Sequence, residues 1–380
     1  MNGPAPVYLD YNATTPVDPA VVAAMGPYWT EQFFNPSSGY AEARAVREAV
    51  EAARTAVAAL IGADPEGVVW TSGGTESDNW AIRGAWAYWS GRRTRVVISA
   101  IEHPAVAETA AALAAEGAEV VRLPVDATGV VRLDAAERLI DERTAVVSVM
   151  LANNEIGTIQ PVAALARRAR AVGAWVHTDA AQAVGKMPVD VDALGVDLLT
   201  VAGHKLYAPK GIGALYVRPG VPLGPWVRGG GQEGGRRSGT EPVPLIVGLG
   251  AAARLAQEWL AGPGPARQAA LRDRLERRLL EAVEGARVFG REAPRLGNTL
   301  AWAAPGWTGA ALLAACPGIR AGTGAACHGP AESPSATLEA MGVPREVARG
   351  LVRLSLGRST SEDDVDRAAE ALVLAVRRRT

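Results

Sequence analysis

The sequence predicts an α/β fold, with a large domain on a mainly parallel, helix-covered sheet and a smaller α/β domain. Segments with helical periodicity alternate with short apolar runs from about residue 20 to residue 218, a pattern typical of parallel sheets. The length of 380 residues exceeds what one hydrophobic core usually serves. The content of 48% hydrophobic and 21% charged residues indicates a folded chain with an ample core.

Seven short apolar runs are predicted to be the strands of the large sheet. In chain order they are Val68–Thr71, Arg95–Ala100, Glu119–Pro124, Thr144–Leu151, Trp175–Ala180, Asp197–Ala202 and Gly213–Val217. Ligands of such sheets bind beyond the carboxyl ends of the strands. The residues that follow each run are therefore the candidates for chemistry.

The second half of the chain departs from this alternation. Segment 223–244 is rich in Gly, Arg and Pro and is predicted to be an irregular loop. The remaining predicted elements are a helical stretch at 245–284 broken at Gly262–Pro265, strands near 299–302 and 352–356, and a helix from Glu362. We therefore assign residues 15–255 to the large domain, and residues 1–14 with 256–380 to the small domain.

Charge and composition favour a small-molecule substrate. The formal net charge of −1 gives no global field that would attract nucleic acid or an anionic membrane, so neither is an expected partner. The sequence shows neither a signal peptide nor an apolar stretch long enough to cross a membrane, and a cytoplasmic location is expected. Two cysteines, Cys316 and Cys327, do not form a disulfide framework, and both are expected to be thiols.

Lys205 is the strongest candidate for chemistry. It follows an apolar run and precedes a glycine-rich turn in AGHKLYAPKGIGALYV. A lysine amine reacts with a carbonyl only when deprotonated, and a cofactor pocket that desolvates the ammonium favours that state. The alternative is a solvated lysine at the end of a strand.

Asp179 and Gln182 follow the Trp175 run in HTDAAQAVGK. An ionised Asp179 could pair with the protonated pyridine nitrogen of pyridoxal phosphate, and Gln182 could donate to the ring hydroxyl. Asp179 could equally cap the helix that follows. Its spacing of 26 residues from Lys205, on successive strand ends, favours the cofactor role.

Two further strand ends offer complementary groups. Gly74 and Thr75, in TSGGTESDNWAI, lie where a glycine-rich turn runs into a helix, and free backbone N–H groups there could hold a phosphate. Many such turns bind nothing. His103, in ISAIEHPAV, could stack on a pyridine and move protons near neutral pH, or could be structural.

Jointly, these motifs resemble the class V aminotransferase family, and within it the cysteine desulfurases that supply iron–sulfur cluster assembly. The motifs are, in chain order, VYLDYNATTPVDP, FFNPSSGY, TSGGTES, EHPAV, NNEIGTIQP, HTDAAQAVGK, GHKLYAPKGIGALYV, GGGQEGGRRSGTEP and VRLSLGRST, and they cover nearly the whole chain. The resemblance implies a pyridoxal 5′-phosphate-dependent transferase of fold type I that converts L-cysteine to L-alanine. The sulfur would be held as a persulfide and passed to an acceptor protein, for iron–sulfur clusters or for tRNA or DNA modification.

The resemblance also implies roles for individual residues. Lys205 matches the Schiff-base lysine, and His103 matches a stacking acid–base residue. The other cofactor contacts that it implies are Gly74, Thr75, Asn154, Asp179, Gln182, His204 and Thr240. The residues that it implies for the substrate carboxylate are Asn12, Asn154 and Arg353, and it implies no metal ligands. Thr240 matches a residue that reaches the phosphate of the neighbouring subunit, so a homodimer is expected.

One position departs from the family pattern. Relatives usually carry serine or threonine three residues before the lysine, and here that position is Ala202. One hydrogen bond to the phosphate should be missing, and Thr200 or a water could replace it. The departure puts the affinity for the cofactor in doubt.

Cys327 matches the sulfur-accepting nucleophile, in the segment RAGTGAACHGPAESPSATLEAMGVP. The reactive form is the thiolate, and an ordinary thiol with a pKa of about 8.5 is mostly protonated at neutral pH. His328 beside it could assist or could be a solvated loop residue. Cys316 lies in an apolar run and is expected to be a packed cysteine.

Two alternatives stay open at this point. The AACH stretch and the residues after it also resemble selenocysteine lyases, which would use the same lysine. An inactive scaffold or sulfur-carrier partner that kept the fold is the other alternative. The sequence fixes neither the preference between cysteine and selenocysteine, nor the acceptor, nor the position of the Cys327 loop.

Overall fold

The computed structural model describes residues 5–324 and 335–378. The strands in this part of the chain are β1 (Val7–Tyr8), β2 (Val68–Thr71), β3 (Arg95–Ser99), β4 (Glu119–Leu123), β5 (Thr144–Ser148), β6 (Trp175–Asp179), β7 (Leu198–Ala202), β8 (Gly213–Val217), β9 (Arg287–Phe289), β10 (Thr299–Ala303), β11 (Ile319–Arg320) and β12 (Val352–Ser355). All seven predicted strands of the large sheet are confirmed.

The helices alternate with these strands in the first half of the chain and cluster in the second. They are α1 (Pro19–Met25), α2 (Pro27–Thr30), α3 (Ala41–Leu60), α4 (Gly74–Trp89), α5 (Pro104–Ala115), α6 (Leu133–Leu139), α7 (Val162–Ala171), α8 (Val191–Leu194), α9 (Val243–Ala261), α10 (Gly264–Ala282), α11 (Gly309–Ala314), α12 (Ala336–Ala340), α13 (Arg345–Ala348) and α14 (Glu362–Arg377). The break predicted at Gly262–Pro265 separates α9 from α10. Segment 223–244 is irregular apart from a short 3-10 turn at Gln232–Gly235 and the first residues of α9.

The large sheet has the strand order β2-β8-β7-β6-β5-β3-β4. Strands β3 to β7 are mutually parallel, whereas β8 runs antiparallel to its neighbours β7 and β2. Every residue of β3, β5, β6, β7 and β8 is buried, because helices cover both faces. The carboxyl ends of the parallel strands therefore meet at one edge of the sheet, as the sequence predicts.

The chain leaves β5 earlier than its apolar run suggests. The predicted strand continues to Leu151, but β5 ends at Ser148. The Leu151 N–H still donates to the Asp179 carbonyl at 2.8 Å, so the segment stays beside β6 without regular pairing. The Val149 N–H likewise donates to the His177 carbonyl at 3.1 Å, so the chain follows β6 to the edge of the sheet.

A second hydrophobic cluster lies apart from the large sheet. It draws its residues from positions 7–9 and 271–376, within the segments that we assign to the small domain, and it includes the buried Cys316. Its sheet has the order β12-β10-β9 and is antiparallel, while β1 pairs in parallel with β11. This arrangement brings β12 and the segment after β1 to the large domain. The exact domain boundaries stay a prediction.

No helix in residues 5–324 and 335–378 combines the length and the apolar character needed to cross a membrane.

Candidate active site

A cavity of about 320 Å³ lies at the carboxyl ends of β3, β5, β6 and β7. The predicted site residues that line it are Asn12, Gly74, Thr75, His103, Asn154, Asp179, Gln182, His204, Lys205 and Arg353. Thr240 does not line it and is exposed. Cys327 lies outside the described residues.

Lys205 ends a single 3-10 turn, Gly203–Lys205, that follows β7 directly. A Cβ at Gly203 would come within 2.8 Å of the Ile212 carbonyl oxygen, so only glycine allows this tight departure from the strand. The Lys205 Nζ donates to the backbone carbonyls of Asn12 at 2.6 Å and Ala13 at 2.8 Å. The amine is thereby held at the cavity wall instead of in bulk solvent.

Asp179 is the last residue of β6 and is buried. Its Oδ1 accepts the Ala181 N–H at 2.9 Å, which fixes the carboxylate at the start of the following turn. This bond resembles the capping alternative, but the side chain also lines the cavity. A turn and not a helix follows Asp179, and its cofactor role stays a prediction.

A layer of buried polar side chains lies behind Asp179. The His177 Nδ1 is 2.8 Å from the Ser148 hydroxyl, and its Nε2 is 3.0 Å from the Thr200 hydroxyl and 3.6 Å from Asp78 Oδ1. Burial lowers the pKa of His177 to about 3, so the imidazole is neutral at pH 7.

Two carboxyl groups in the cavity wall have pKa values raised by burial. Burial, then the charge of Asp179, raises the pKa of Asp78 well above its usual range. Burial raises the pKa of Glu102 to about 8, although Ser99 and the Met150 N–H bind its carboxylate. Glu102 is therefore mostly protonated at pH 7.

One end of the cavity is formed by the turn after β2 and the start of α4. Gly73 has φ of 149°, a conformation that side chains rarely adopt, and Gly74 begins the helix. A Cβ at Gly74 would lie 3.3 Å from the Ala202 Cβ, so the turn packs closely on the end of β7. The backbone N–H groups of the first helical turn offer donors for an anion.

His204 and Thr200 differ in what they can offer at that end. The His204 Nδ1 is 3.1 Å from the Thr14 hydroxyl, and burial, followed by the charges of Lys205 and Lys210, lowers its pKa to about 4. Thr200 is fully buried, and its single hydroxyl hydrogen serves His177 or Asp78. The suggestion that Thr200 replaces the hydroxyl missing at Ala202 is therefore wrong, and a water is left as the replacement.

His103 is both the N-cap of α5 and part of the cavity wall. Its Nδ1 accepts the Ala105 N–H at 3.2 Å. A nitrogen that accepts carries no proton, so the ring proton of the neutral form lies on Nε2. The cap holds the ring in a fixed orientation beside the cavity.

Arg353 projects from β12 of the small domain into the cavity wall. Its Nη2 donates to Asp10 Oδ1 at 2.7 Å, and its Nη1 donates to the Asn154 carbonyl at 3.2 Å. The buried Nε has no partner among the described residues. A guanidinium fixed from behind by a carboxylate is suited to binding a second carboxylate in the cavity.

Asn12 has a different place from the one predicted. Its amide hydrogens are donated to Thr299 Oγ1 at 2.9 Å and to the Asn154 carbonyl at 3.2 Å, so neither is left for a substrate carboxylate. Its backbone carbonyl accepts from Lys205 and, at 3.0 Å, from Gln182 Nε2. Asn12 is therefore a buried residue whose hydrogen bonds connect Lys205 to Asn154, on the side of the cavity where Arg353 lies.

Glu155 connects the cavity to the residues that flank segment 325–334. Ser335 donates to its carboxylate, and a Cβ at Gly324 would lie 2.7 Å from Glu155 Oε2. Burial raises the pKa of Glu155 to about 7, opposed by the hydrogen bond from Ser335 and the charge of Arg353.

The groups in this cavity fit pyridoxal phosphate. They supply an amine for the aldehyde, a buried carboxylate for the ring nitrogen, and a glycine turn at the N-terminus of a 16-residue helix for the phosphate. The glycine at position 74 is needed because a side chain there would crowd Ala202.

Sequence reasoning missed several residues of the cavity and its wall. They are Asp78, Glu102, Glu155 and Lys186. Lys186 had a usable signal, because only three of the 39 basic residues are lysines, at positions 186, 205 and 210. The three acids resemble ordinary charged residues of a helix or loop until their burial is known.

Known proteins agree with this geometry. The sequence matches the family described as Aminotransferase class-V over residues 7–368. A cysteine desulfurase of Gluconacetobacter diazotrophicus is 49% identical over 370 residues, which cover 96% of this chain and 92% of the relative. A solved NifS-like protein superposes with a TM-score of 0.90 at 37% identity, covering 97% of this chain and 98% of the other. A structure of SspA in complex with cysteine superposes with a TM-score of 0.82 at 34% identity, covering 92% and 98% respectively.

The match spans both the large sheet and the small domain, and it includes the segments that form the cavity. The chain therefore belongs to the class V aminotransferase family, among its cysteine desulfurases.

Proposed function

We propose that this protein is a pyridoxal-phosphate-dependent cysteine desulfurase that converts L-cysteine to L-alanine and passes the sulfur to an acceptor protein. The observation that carries the proposal is the convergence of Lys205, Asp179 and Arg353 on one cavity. The relatives named as cysteine desulfurases, and the neighbour solved with cysteine, support it. A cytoplasmic location, as expected from the sequence, is part of the proposal.

Lys205 would hold the cofactor through Nζ, Asp179 would pair with its ring nitrogen, and the turn at Gly74 and Thr75 would bind its phosphate. When bound, the cofactor supplies an electron-withdrawing ring that stabilises negative charge on the substrate α-carbon. His204, neutral at pH 7, can donate a hydrogen bond at the phosphate end.

The substrate would be oriented by its carboxylate. Arg353 binds that carboxylate from the small domain, and the Asn154 side chain in the cavity wall is placed to join it. The Lys205 amine would take the α-proton once released from its carbonyl contacts, and His103 Nε2 can hold or return a proton beside the cavity.

Cys327 would receive the sulfur. Its thiolate forms a bond with the substrate sulfur as the bond between that sulfur and the β-carbon breaks, and the carbon skeleton leaves as alanine. The residue lies outside the described part of the chain, so its assignment comes from the family motif.

The exposure of Thr240 supports the proposed homodimer. The residue lies outside the cavity of its own chain and is accessible to a second copy. Its loop is held in place by Glu233, whose carboxylate binds the Arg54 guanidinium through two contacts of 2.8 Å and accepts the Trp70 N–H. A second subunit would thus meet an ordered loop at this point.

Replacing Cys327 with serine tests both the reaction and its substrate. We expect alanine formation from cysteine to fall by about a thousandfold or more, because a hydroxyl is a far weaker nucleophile than a thiolate. Alanine and sulfide released from cysteine and selenocysteine are measured for both proteins, with Cys316→Ser as the matched control. A wild type that releases alanine only from selenocysteine would instead assign the site to a selenocysteine lyase.

Replacing Ala202 with serine should strengthen cofactor binding. The Ala202 side chain faces the start of α4, where a hydroxyl would supply the donor that relatives have. We expect the dissociation constant for pyridoxal phosphate to fall by about threefold to tenfold, the effect of one added hydrogen bond. Spectrophotometric titration of the apoprotein measures it, and unchanged affinity would mean that the existing contacts already satisfy the phosphate.

A further inference from the structure

Lys186 is a second lysine in the wall beside the proposed cofactor-binding lysine. Of the 39 lysine and arginine residues of this protein, all but three are arginine. The three lysines fall within 25 positions of one another. Lys210 is exposed, whereas the amines of Lys186 and Lys205 both bond to Asn12. An arginine cannot lose its proton in a protein, whereas a buried lysine can, so the choice of residue is informative here.

The Lys186 amine makes two hydrogen bonds with side-chain oxygens. Its Nζ donates to Asn12 Oδ1 at 3.0 Å and to Gln182 Oε1 at 2.5 Å. Burial, followed by the charges of Lys205 and Arg353, lowers the pKa of Lys186 well below its usual range. The two oxygens thus each accept one hydrogen of the amine.

These bonds decide which way the Gln182 amide points. A carboxamide can rotate by half a turn and exchange its oxygen and nitrogen, so its orientation depends on its neighbours. Lys186 donates to one end, and the Asn12 carbonyl, 3.0 Å from Nε2, accepts from the other. Both neighbours require the same orientation, in which Gln182 keeps one further N–H for the cavity that it lines.

We propose that Lys186 is a positioning residue that locks the Gln182 amide so that it presents a hydrogen-bond donor to the cofactor. The inference rests on the proposed function, in which Gln182 contacts the ring hydroxyl. Without Lys186, the Asn12 carbonyl alone holds this orientation, so the amide turns more readily and presents its carbonyl oxygen, which would repel an ionised ring oxygen. Lys186 thus acts through Gln182 and needs no contact with substrate.

The test uses Lys186→Met, which keeps an unbranched side chain and removes the amine. We expect the dissociation constant for pyridoxal phosphate to rise by about tenfold, the effect of one hydrogen bond. We also expect the midpoint of the pH titration of the bound visible chromophore to move upward by about one pH unit, because a donor to the ionised oxygen is lost. Lys210→Met is the matched control and should change neither value.

A double-mutant cycle separates positioning from a general structural effect. If Lys186 acts through Gln182, the variant Lys186→Met with Gln182→Met should bind the cofactor no more weakly than Gln182→Met alone. Additive losses, or an unchanged affinity and titration midpoint in folded Lys186→Met, would overturn the inference. A wild type that fails to bind pyridoxal phosphate would instead refute the proposed function.

Lys186→Gln provides a second variant if the methionine protein melts at a markedly lower temperature. Glutamine keeps a polar group beside Asn12 but offers an oxygen as well as a nitrogen, so it does not fix the Gln182 orientation. The same loss of affinity and the same upward shift of the midpoint are expected. Wild-type values in a folded Lys186→Gln protein would count against the proposal.

Discussion

Replacing Lys205 with alanine is expected to abolish the visible absorbance of the purified protein and to reduce alanine formation from cysteine by at least about a thousandfold. The Lys205 amine lines the cavity and can bond to an aldehyde, and the Asn12 and Ala13 carbonyls that position it cannot replace it. The fold should survive, because Gln182 still donates to the Asn12 carbonyl. Absorbance after incubation with pyridoxal phosphate, and alanine released per protein chain, are the measurements.

Lys210→Ala is the control for the loss of a lysine from the same segment. Lys210 is exposed and lies five residues further along the chain, so its variant should keep both colour and activity. A coloured and active Lys205→Ala protein would refute the assignment of the cofactor-binding lysine. Colour lost equally from both variants would point to a disturbed segment instead of a lost amine.

Replacing Arg353 with lysine is expected to raise the KM for cysteine by about thirtyfold or more, which corresponds to ~2 kcal/mol for charged hydrogen bonds. Lysine keeps the charge that Asp10 binds, but it has no planar fork that can face Asp10 and a substrate carboxylate together. The turnover number should fall less than the KM rises, because the carboxylate is bound before and during the reaction.

Steady-state kinetics with cysteine measure this effect, and Arg349→Lys is its matched control. Arg349 precedes β12 by three residues and is exposed, so the same exchange should leave the KM unchanged. An unchanged KM in Arg353→Lys would move the carboxylate site elsewhere in the cavity. A fall in the turnover number alone would indicate that Arg353 serves the chemical step instead of binding.

The large sheet could be predicted from sequence because its strands are buried on both faces. A strand such as β7 is buried along its whole length, so nearly all its residues are apolar and the run stands out. The end of β5 could not be predicted, because the residues after Ser148 stay apolar and still hydrogen-bond to β6. Apolar character reports burial, whereas the end of a strand depends on hydrogen bonds that neighbouring strands supply.

The site was predictable where a residue follows a strand and less so where burial alters its chemistry. Lys205 and Asp179 occupy strand ends, which the pattern identifies. Asn12 was expected to bind substrate, and only the contacts with Thr299 and Asn154 show that its amide is already used. Lys186 resembles a surface lysine until the structure places its amine between two amide oxygens.

Buried acids and histidines around the cavity also affect how the free energy of unfolding of the cofactor-free protein depends on pH. His177, with its pKa lowered to about 3, binds fewer protons folded than unfolded, so its contribution to stability rises with pH up to about 6.5. Glu102, with its pKa raised to about 8, binds more protons folded than unfolded, so its contribution falls as pH rises from about 4.5 to 8. Above pH 6.5 only the loss from Glu102 continues, and below pH 4.5 only the loss from His177 remains, so these two groups together favour the folded state most between about pH 4.5 and 6.5.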